Sequence, residues 1–405
     1  MTSILQRPAR PVAGIELDVT LAPVRRLTDG ALAAVELQLR AANAGALHSA
    51  QELRRVARLM DEKHDLDRIK ADCITDPQLR ALVGELPVMA AFDAPYLTDT
   101  GSTLPPAPST RILASVSAHL FGEAPHGMLR ALGTARERGN TICLEIGDDA
   151  DHALAFLALI EPDVIVVTPT LLHAPTSAET ARIVHALAAH AERSHCTIIA
   201  EGVNDEATRA TAETIGATFG IGELYPALPA ETLLAEDLVP LPAAPVWTTP
   251  DVEETTPFAL ATRDTAPRRG TKSLLIEMSK ALEAQATGMA WPMVAIGTFQ
   301  HSRHFTQSTA ARWNALSEVT GFAGVYGTEI VAASEGNVHR APLAPGDPLV
   351  DEWTVAVVGP HFSALIAARD RHDNGPDLER TFDFVQTFDR TTTVQAVRSV
   401  LHRFG

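Results

Sequence analysis

The sequence predicts an α/β protein in two parts: an N-terminal TIM-like (β/α) barrel and a smaller C-terminal α/β (α+β) domain. Three observations carry that prediction. Short apolar runs alternate with helical patterns over the first 237 residues. A Pro- and Thr-rich stretch then interrupts the chain, and a second set of strand and helix patterns follows it to the C-terminus. The length of 405 residues, 46% hydrophobic and 20% charged, is enough for two cores rather than one.

In the first part, residues 141–146 (T-I-C-L-E-I), 164–168 and 197–200 are short apolar runs with the length of buried strands. Residues 177–193 repeat apolar positions at helical spacing, so strand and helix alternate and the sheet is expected to be mainly parallel. The stretch 238–269, with P-L-P-A-A-P-V-W-T-T-P-D-V-E-E-T-T-P inside it, sustains neither period and reads as a semi-extended linker. Beyond it, 272–285 places Leu275, Met278, Leu282 and Ala286 on one helical face. A strand at 292–299, a helix at 309–318, strands at 322–326 and 353–358 and a helix at 394–403 follow. The expected domains are therefore 12–237 and 270–405, joined by the linker 238–269.

A net charge of −17 opposes non-specific attraction to phosphates, so neither nucleic acid nor an anionic membrane is an expected partner. Cys73, Cys143 and Cys196 lie far apart with no C-x-x-C pair, which supports neither a disulfide framework nor a cysteine zinc site. The N-terminus has no apolar signal-like region, and no window is long and apolar enough to span a bilayer. A soluble, cytoplasmic protein is the expectation.

The chemistry-bearing residues follow the apolar runs, where a parallel barrel carries its functional groups. They are A-V-E-L-Q-L-R at 34–40, E-I-G-D-D-A at 145–150, I-I-A-E-G-V-N at 198–204 and G-A-T-F-G-I-G at 216–222. In order and spacing they resemble the EAL family of cyclic di-GMP phosphodiesterases. That resemblance implies an EAL barrel in which divalent metal generates hydroxide and neutralises the reacting phosphate. It places Glu36 on the metal-binding glutamate of the signature and Arg40 on its arginine. Glu145 falls on the first aspartate of the family's D-D-F-G-T-G loop, and Glu201 on the first glutamate of A-E-G-V-E.

The departures are many. Ala22 replaces a ligand-contacting glutamine, and I-L-A-S-V-S at 112–117 has no carboxylate where the family has E-x-T-E. Ile146 replaces the second aspartate, Val166 the lysine of K-I-D, Asn204 the second glutamate and Ile221 the glutamine of G-Q-G. A site so depleted is not expected to hold two metals, so no cofactor is expected. Glu36 and Glu201 are the weak metal candidates, and read first as plain polar residues on the barrel rim. The alternative is a true phosphodiesterase with a rearranged site of Glu36, Glu145, Asp148, Asp149 and Glu201, and only that reading requires Mg or Mn. Asp148 and Asp149 otherwise form a solvated turn, and Gly202, Gly216, Gly220 and Gly222 are turn residues needing positive φ.

From residue 273, S-L-L-I-E-M-S-K-A-L-E, then V-A-I-G-T-F-Q, F-A-G-V-Y-G, V-V-G-P-H-F and D-F-V-Q-T-F-D-R resemble a DICT domain. Such modules stand beside cyclic di-GMP enzymes and two-component proteins. Within it, Gln300, His301, Arg303 and His304 follow a strand, which makes them a candidate ligand or docking loop. The same residues also read as an ordinary polar loop, since His301 and His304 have no identifiable third ligand. Trp291, Trp313 and Trp353 read as packing. No nucleophile elbow, P-loop, H-E-x-x-H, dinucleotide fingerprint or G-G-D-E-F loop competes.

The expectation is a non-catalytic signalling protein, an inactive EAL-like barrel joined to a DICT-like sensory domain and acting by binding. Its ligand would be cyclic di-GMP, or its partner a signalling protein such as a diguanylate cyclase or a regulator. Apolar Ala22, Val166 and Ile221 favour protein docking, because phosphates and guanines need hydrogen-bond partners. A homodimer is expected from the resemblance alone.

Overall fold

A computed structural model describes residues 9–12, 14–42, 50–98, 110–174, 176–228, 230–242, 255–289, 292–335 and 338–404. The N-terminal residues before Ala9 and the expected packing residue Trp291 lie outside them. The first sheet begins with β1 (Ala9–Val12), β2 (Ile15–Arg26), β3 (Leu32–Ala41), β4 (Val88–Asp93) and β5 (Thr110–Val116). It continues with β6 (Thr141–Ile146), β7 (Val164–Val167), β8 (Thr197–Glu201) and β9 (Phe219–Ile221). Strands β2 to β9 follow one another in chain order, and β9 pairs back onto β2, closing a barrel. Every pairing from β3 to β9 is parallel, whereas β2 is antiparallel to both its neighbours.

Around the barrel lie α1 (Ala50–Leu59), α2 (Lys63–Thr75), α3 (Pro77–Val83), α4 (Ala94–Thr98), α5 (Ala118–Glu123) and α6 (Pro125–Glu137). They are followed by α7 (Ala150–Ile160), α8 (Pro169–Leu172), α9 (Ala178–Ser194), α10 (Glu206–Ile215) and α11 (Ala230–Leu234). Side chains alternate along each strand, so Val35, Leu37 and Leu39 of β3 join the core under the helices. Ala34, Glu36, Gln38 and Arg40 therefore share the other face, toward the lumen. That lumen is packed by Ala22, Val24, Met89, Leu113, Cys143, Val166, Phe219 and Ile221.

The second domain is a sheet ordered β10-β17-β16-β15-β11-β12-β14-β13. In chain order its strands are β10 (Arg268–Thr271), β11 (Val294–Phe299), β12 (Phe322–Gly327), β13 (Ala333–Glu335), β14 (Val338–Pro342), β15 (Glu352–Val358), β16 (Ser363–Asp370) and β17 (Thr381–Thr387). Its helices are α12 (Pro257–Ala261), α13 (Lys272–Met289), α14 (Gln307–Ser317) and α15 (Arg390–Leu401). One sheet face is covered by Leu282 and Ala286 of α13 with Trp313 and Leu316 of α14. The other face, with Val394, Val397 and Leu401 of α15, merges into the same apolar core as the barrel.

Helix α7 explains that merger. Its sequence, A-D-H-A-L-A-F-L-A-L-I, is apolar on every side after the first turn, and such a helix must be covered all round. The barrel covers one side and the second domain the other. The Phe156 and Phe322 rings lie 5.5 Å apart, and a Cβ placed on Gly321 would fall 2.4 Å from the Ala155 Cβ. The terminal carbonyls of α7 are met by arginines from both sides. Arg136 Nη2 donates to Ile160 O and Glu161 O at 2.8 Å. Arg398 of α15 donates from Nε to Leu159 O at 3.1 Å and from Nη2 to the Glu161 carboxylate at 2.9 Å.

Two readings of the sequence differ from the structure. Part of the stretch expected as linker is folded: Thr256 caps α12, accepting from Ala259 N at 3.2 Å, and Phe258, Leu260 and Ala261 are buried. A five-residue helix is too short to show a period, which is why it passes as linker. Gly202 (φ 84°) and Gly216 (φ 98°) do adopt the left-handed conformation. Gly220 and Gly222 do not; a Cβ there would fall 2.6 Å from the Leu27 side chain and 2.2 Å from Val203 O, so close approach is what requires glycine. Among the described residues, no helix is long and apolar enough to cross a membrane.

Candidate functional site

The middle of β3 and the C-terminal ends of β6 and β8 bring Glu36, Glu145 and Glu201 toward one mouth of the barrel. Between them stands Arg54, delivered by α1. Its Nη2 lies 3.3 Å from Glu201 Oε2 and 3.7 Å from Glu145 Oε1. Burial opposes the Arg54 charge, but Glu145, Glu201 and Glu36 together raise its pKa further above the ordinary arginine value. In return, Arg54 holds the Glu145 carboxyl below the usual carboxylate range. Glu201 goes the other way: burial, opposed by Arg54 and reinforced by Glu36 and Glu145, pushes it up to about 7. The two glutamates share one cation, and Glu201 is the one left able to take a proton.

Glu36 is held from along its own strand. Gln38 Nε2 donates to its carboxylate, and Arg40 Nη2 donates to Gln38 Oε1 at 2.9 Å. The alternation that puts residues 36, 38 and 40 on one face makes this chain possible.

A cavity of about 890 Å³ opens over Gln38, Arg40, Arg54, Glu145 and Glu201. Its walls include Arg40, Arg54, Arg55 and Arg58, the acids Glu145, Asp148, Glu201 and Glu223, and the polar or aromatic groups of Asn204 and Tyr225. Ala22 and Ile221 also line it, whereas Val166 packs in the lumen. Asp148 thus faces the cavity, while Asp149 is bonded 2.6 Å from His152 Nδ1 on an exposed turn. Asn204 Oδ1 accepts from Glu223 N at 3.0 Å, which fixes the loop after β8. The sequence pointed to the glutamates but not to Arg54, whose only signal is R-R-V-A-R on a helix outside every motif.

A guanidinium already stands against two of the carboxylates, and among the described residues no three His, Cys, Asp or Glu side chains are grouped to hold a metal ion.

In the second domain, Gln300 is separated from its expected companions. It is buried, and its Nε2 donates to Asp370 Oδ2 at 3.0 Å. His301, Arg303 and His304 follow on a short 3-10 helix, Ser302–His304, where Arg303 is exposed and the two imidazoles, 6.0 Å apart, are half-buried. Burial, with Lys272 and Arg303 nearby, pushes the His304 pKa down to about 4. Trp313 is fully buried, and Trp353 packs edge-on to Phe382 at 6.2 Å.

Fold and site together define a two-part protein, a closed β/α barrel with a charged mouth packed against a sheet-and-helix module. That module is a DICT domain: residues 258–371 match the DICT family, described as a sensory domain in diguanylate cyclases and two-component systems. No curated protein matches the chain in sequence. Among solved structures, the chain is similar to the PaMucR phosphodiesterase in complex with c-di-GMP, at 17% identity over 54% of this chain and 99% of that one, with a TM-score of 0.41. It is similar to the FimX EAL domain of Xanthomonas citri in complex with c-diGMP, at 17% identity over 53% and 88%, with a TM-score of 0.39. It is also similar to BlrP1 of Klebsiella pneumoniae in its manganese and cyclic di-GMP complex, at 16% identity over 55% and 56%, with a TM-score of 0.42.

Proposed function

We propose that this chain is a non-catalytic regulatory protein of cyclic di-GMP signalling, acting by binding through its EAL-like barrel, with the DICT domain as its sensor. The observation that carries the reading is Arg54. Hydrolysis at such a barrel mouth requires a metal ion to generate hydroxide near neutral pH. A guanidinium stays protonated at any physiological pH and does not activate water. Here it neutralises Glu145 and Glu201, the groups that a metal would otherwise need. Val166, in the place of the family's lysine, is packed into the lumen core and adds no polar group. The protein partners of this reading are signalling proteins such as diguanylate cyclases or regulators, in keeping with a domain described as occurring in diguanylate cyclases and two-component systems.

The test is turnover of cyclic di-GMP by the full chain at high enzyme concentration, in Mg and separately in Mn. The expected outcome is no linear dinucleotide in either. Product that disappears in Glu36→Ala would reverse the reading in favour of a phosphodiesterase with a rearranged site.

A further inference from the structure

We propose that the seam between the barrel and the second domain is a site for an oxyanion of the phosphate type, taken between Arg193 of α9 and Arg390 of α15. The proposal does not depend on how the barrel mouth is read.

Three elements build the site. The turn from β15 to β16 is closed by Gly359 N, which donates to Phe362 O at 2.8 Å. Two neighbouring carbonyls of that turn each meet a guanidinium. Arg390 Nη1 donates to Gly359 O at 2.7 Å, and Arg193 Nη2 donates to Pro360 O at 2.6 Å. Consecutive Cα atoms are about 3.8 Å apart, so one cation from each domain is brought to the same turn. A guanidinium has further N–H donors beyond the one spent on a carbonyl. Among the described residues, neither Arg193 nor Arg390 makes an ion pair. His361 on the turn and His185 on α9 add two more basic groups, close enough that both arginines and His185 act on the His361 charge.

An arginine resting on a carbonyl is an ordinary tie between domains. Two of them on adjacent carbonyls with no carboxylate in contact are not, in a chain whose acidic side chains outnumber its lysines and arginines 50 to 33. The acids in the neighbourhood are engaged elsewhere or remote. Asp389 caps α15 by accepting from Thr392 N at 2.8 Å. Glu161 is paired with Arg398 at 2.9 Å and reaches Arg390 only as a distant charge. Glu192 acts on Arg193 without an ion pair. Arg390 is half-buried, and burial together with the Arg193 charge presses its pKa down to about 10. Charges withdrawn from water are normally paired. An oxyanion supplies the missing partner, since the planar guanidinium matches phosphate oxygens in a two-point fork.

The seam is open to a small ligand, because Arg193 and His361 are exposed. Beside it Phe388, 58% exposed, stands edge-on to Phe362 with ring centroids 6.4 Å apart. That apolar shelf suits the organic part of a phosphate ester, whereas free phosphate uses the arginines alone. Either way the anion links α9 of the barrel to α15 and the β15–β16 turn of the second domain.

The experiment is calorimetric titration of the full chain with inorganic phosphate, and separately with phenyl phosphate. Phosphate is expected to give saturable heat that weakens as sodium chloride is raised. Its affinity is expected to fall at least tenfold in Arg390→Gln and in Arg193→Gln. Arg193 is exposed, so its variant should keep the wild-type circular dichroism, which separates lost binding from lost fold. Tighter binding of phenyl phosphate would support the site with an ester as its occupant, and weaker binding would support it with the free ion. No saturable heat with either probe, or unchanged affinity in Arg193→Gln, would overturn the proposal.

Discussion

Removing the Arg54 guanidinium would take away the one cation in contact with both Glu145 and Glu201, leaving Lys63, Arg58 and Lys70 to act on Glu145 from farther off. Breaking a buried ion pair from one side costs about 3–5 kcal/mol, so Arg54→Gln should lower stability by roughly that amount at pH 8. At pH 6 the loss should be smaller, because Glu201 takes a proton. The sign follows from its pKa. Glu201 titrates at about 7 in the fold against an ordinary 4.5, so its contribution is complete below 4.5 and is lost as pH rises through 7. Urea unfolding of both proteins at the two pH values checks this. His190 behaves oppositely. Burial and the nearby Arg193 and Arg390 push it from 6.5 down to about 4, so its contribution is present above 6.5 and is lost as pH falls toward 4. Replacing it by glutamine should flatten the acid side of the melting-temperature profile.

The element that ties site to sensor is α7, which begins just after the Glu145 and Asp148 segment and ends under α15. Arg398→Ala would strip the Leu159 carbonyl and the Glu161 carboxylate of a buried partner. It should cost about 3 kcal/mol or more, read as a lower melting temperature of the whole chain. How much of this was legible depends on range. Strands β6, β7 and β8 and helices α9 and α13 declare themselves, because their periods are local and their ends are marked. Strand β16, S-A-L-I-A-A-R-D, does not, since its alanines fit a helix equally well. Glu36, Glu145 and Glu201 were visible because each falls on an acidic position of the EAL resemblance. Arg54 was not, because its contact with Glu201 spans 147 residues and exists only once the barrel closes.

At the scale of the molecule, one apolar core runs through both domains, from the helix layer of the barrel to Val397 and Phe404. Unfolding should therefore be a single cooperative transition by circular dichroism and by calorimetry, and two separated melts would contradict that core. A chain ended after residue 237 should aggregate, since it would bare Phe156 and its neighbours on α7. Deleting either domain to assign a partner would thus mislead. The same feature bears on how such proteins are assembled over evolution. The sensory domain here is not an interchangeable cassette: a DICT sequence imported from another architecture would have to bring a bare backbone at position 321 and a long cation at 398. Without them it would seat on no surface, and the barrel's own seventh helix would be the first thing to come undone.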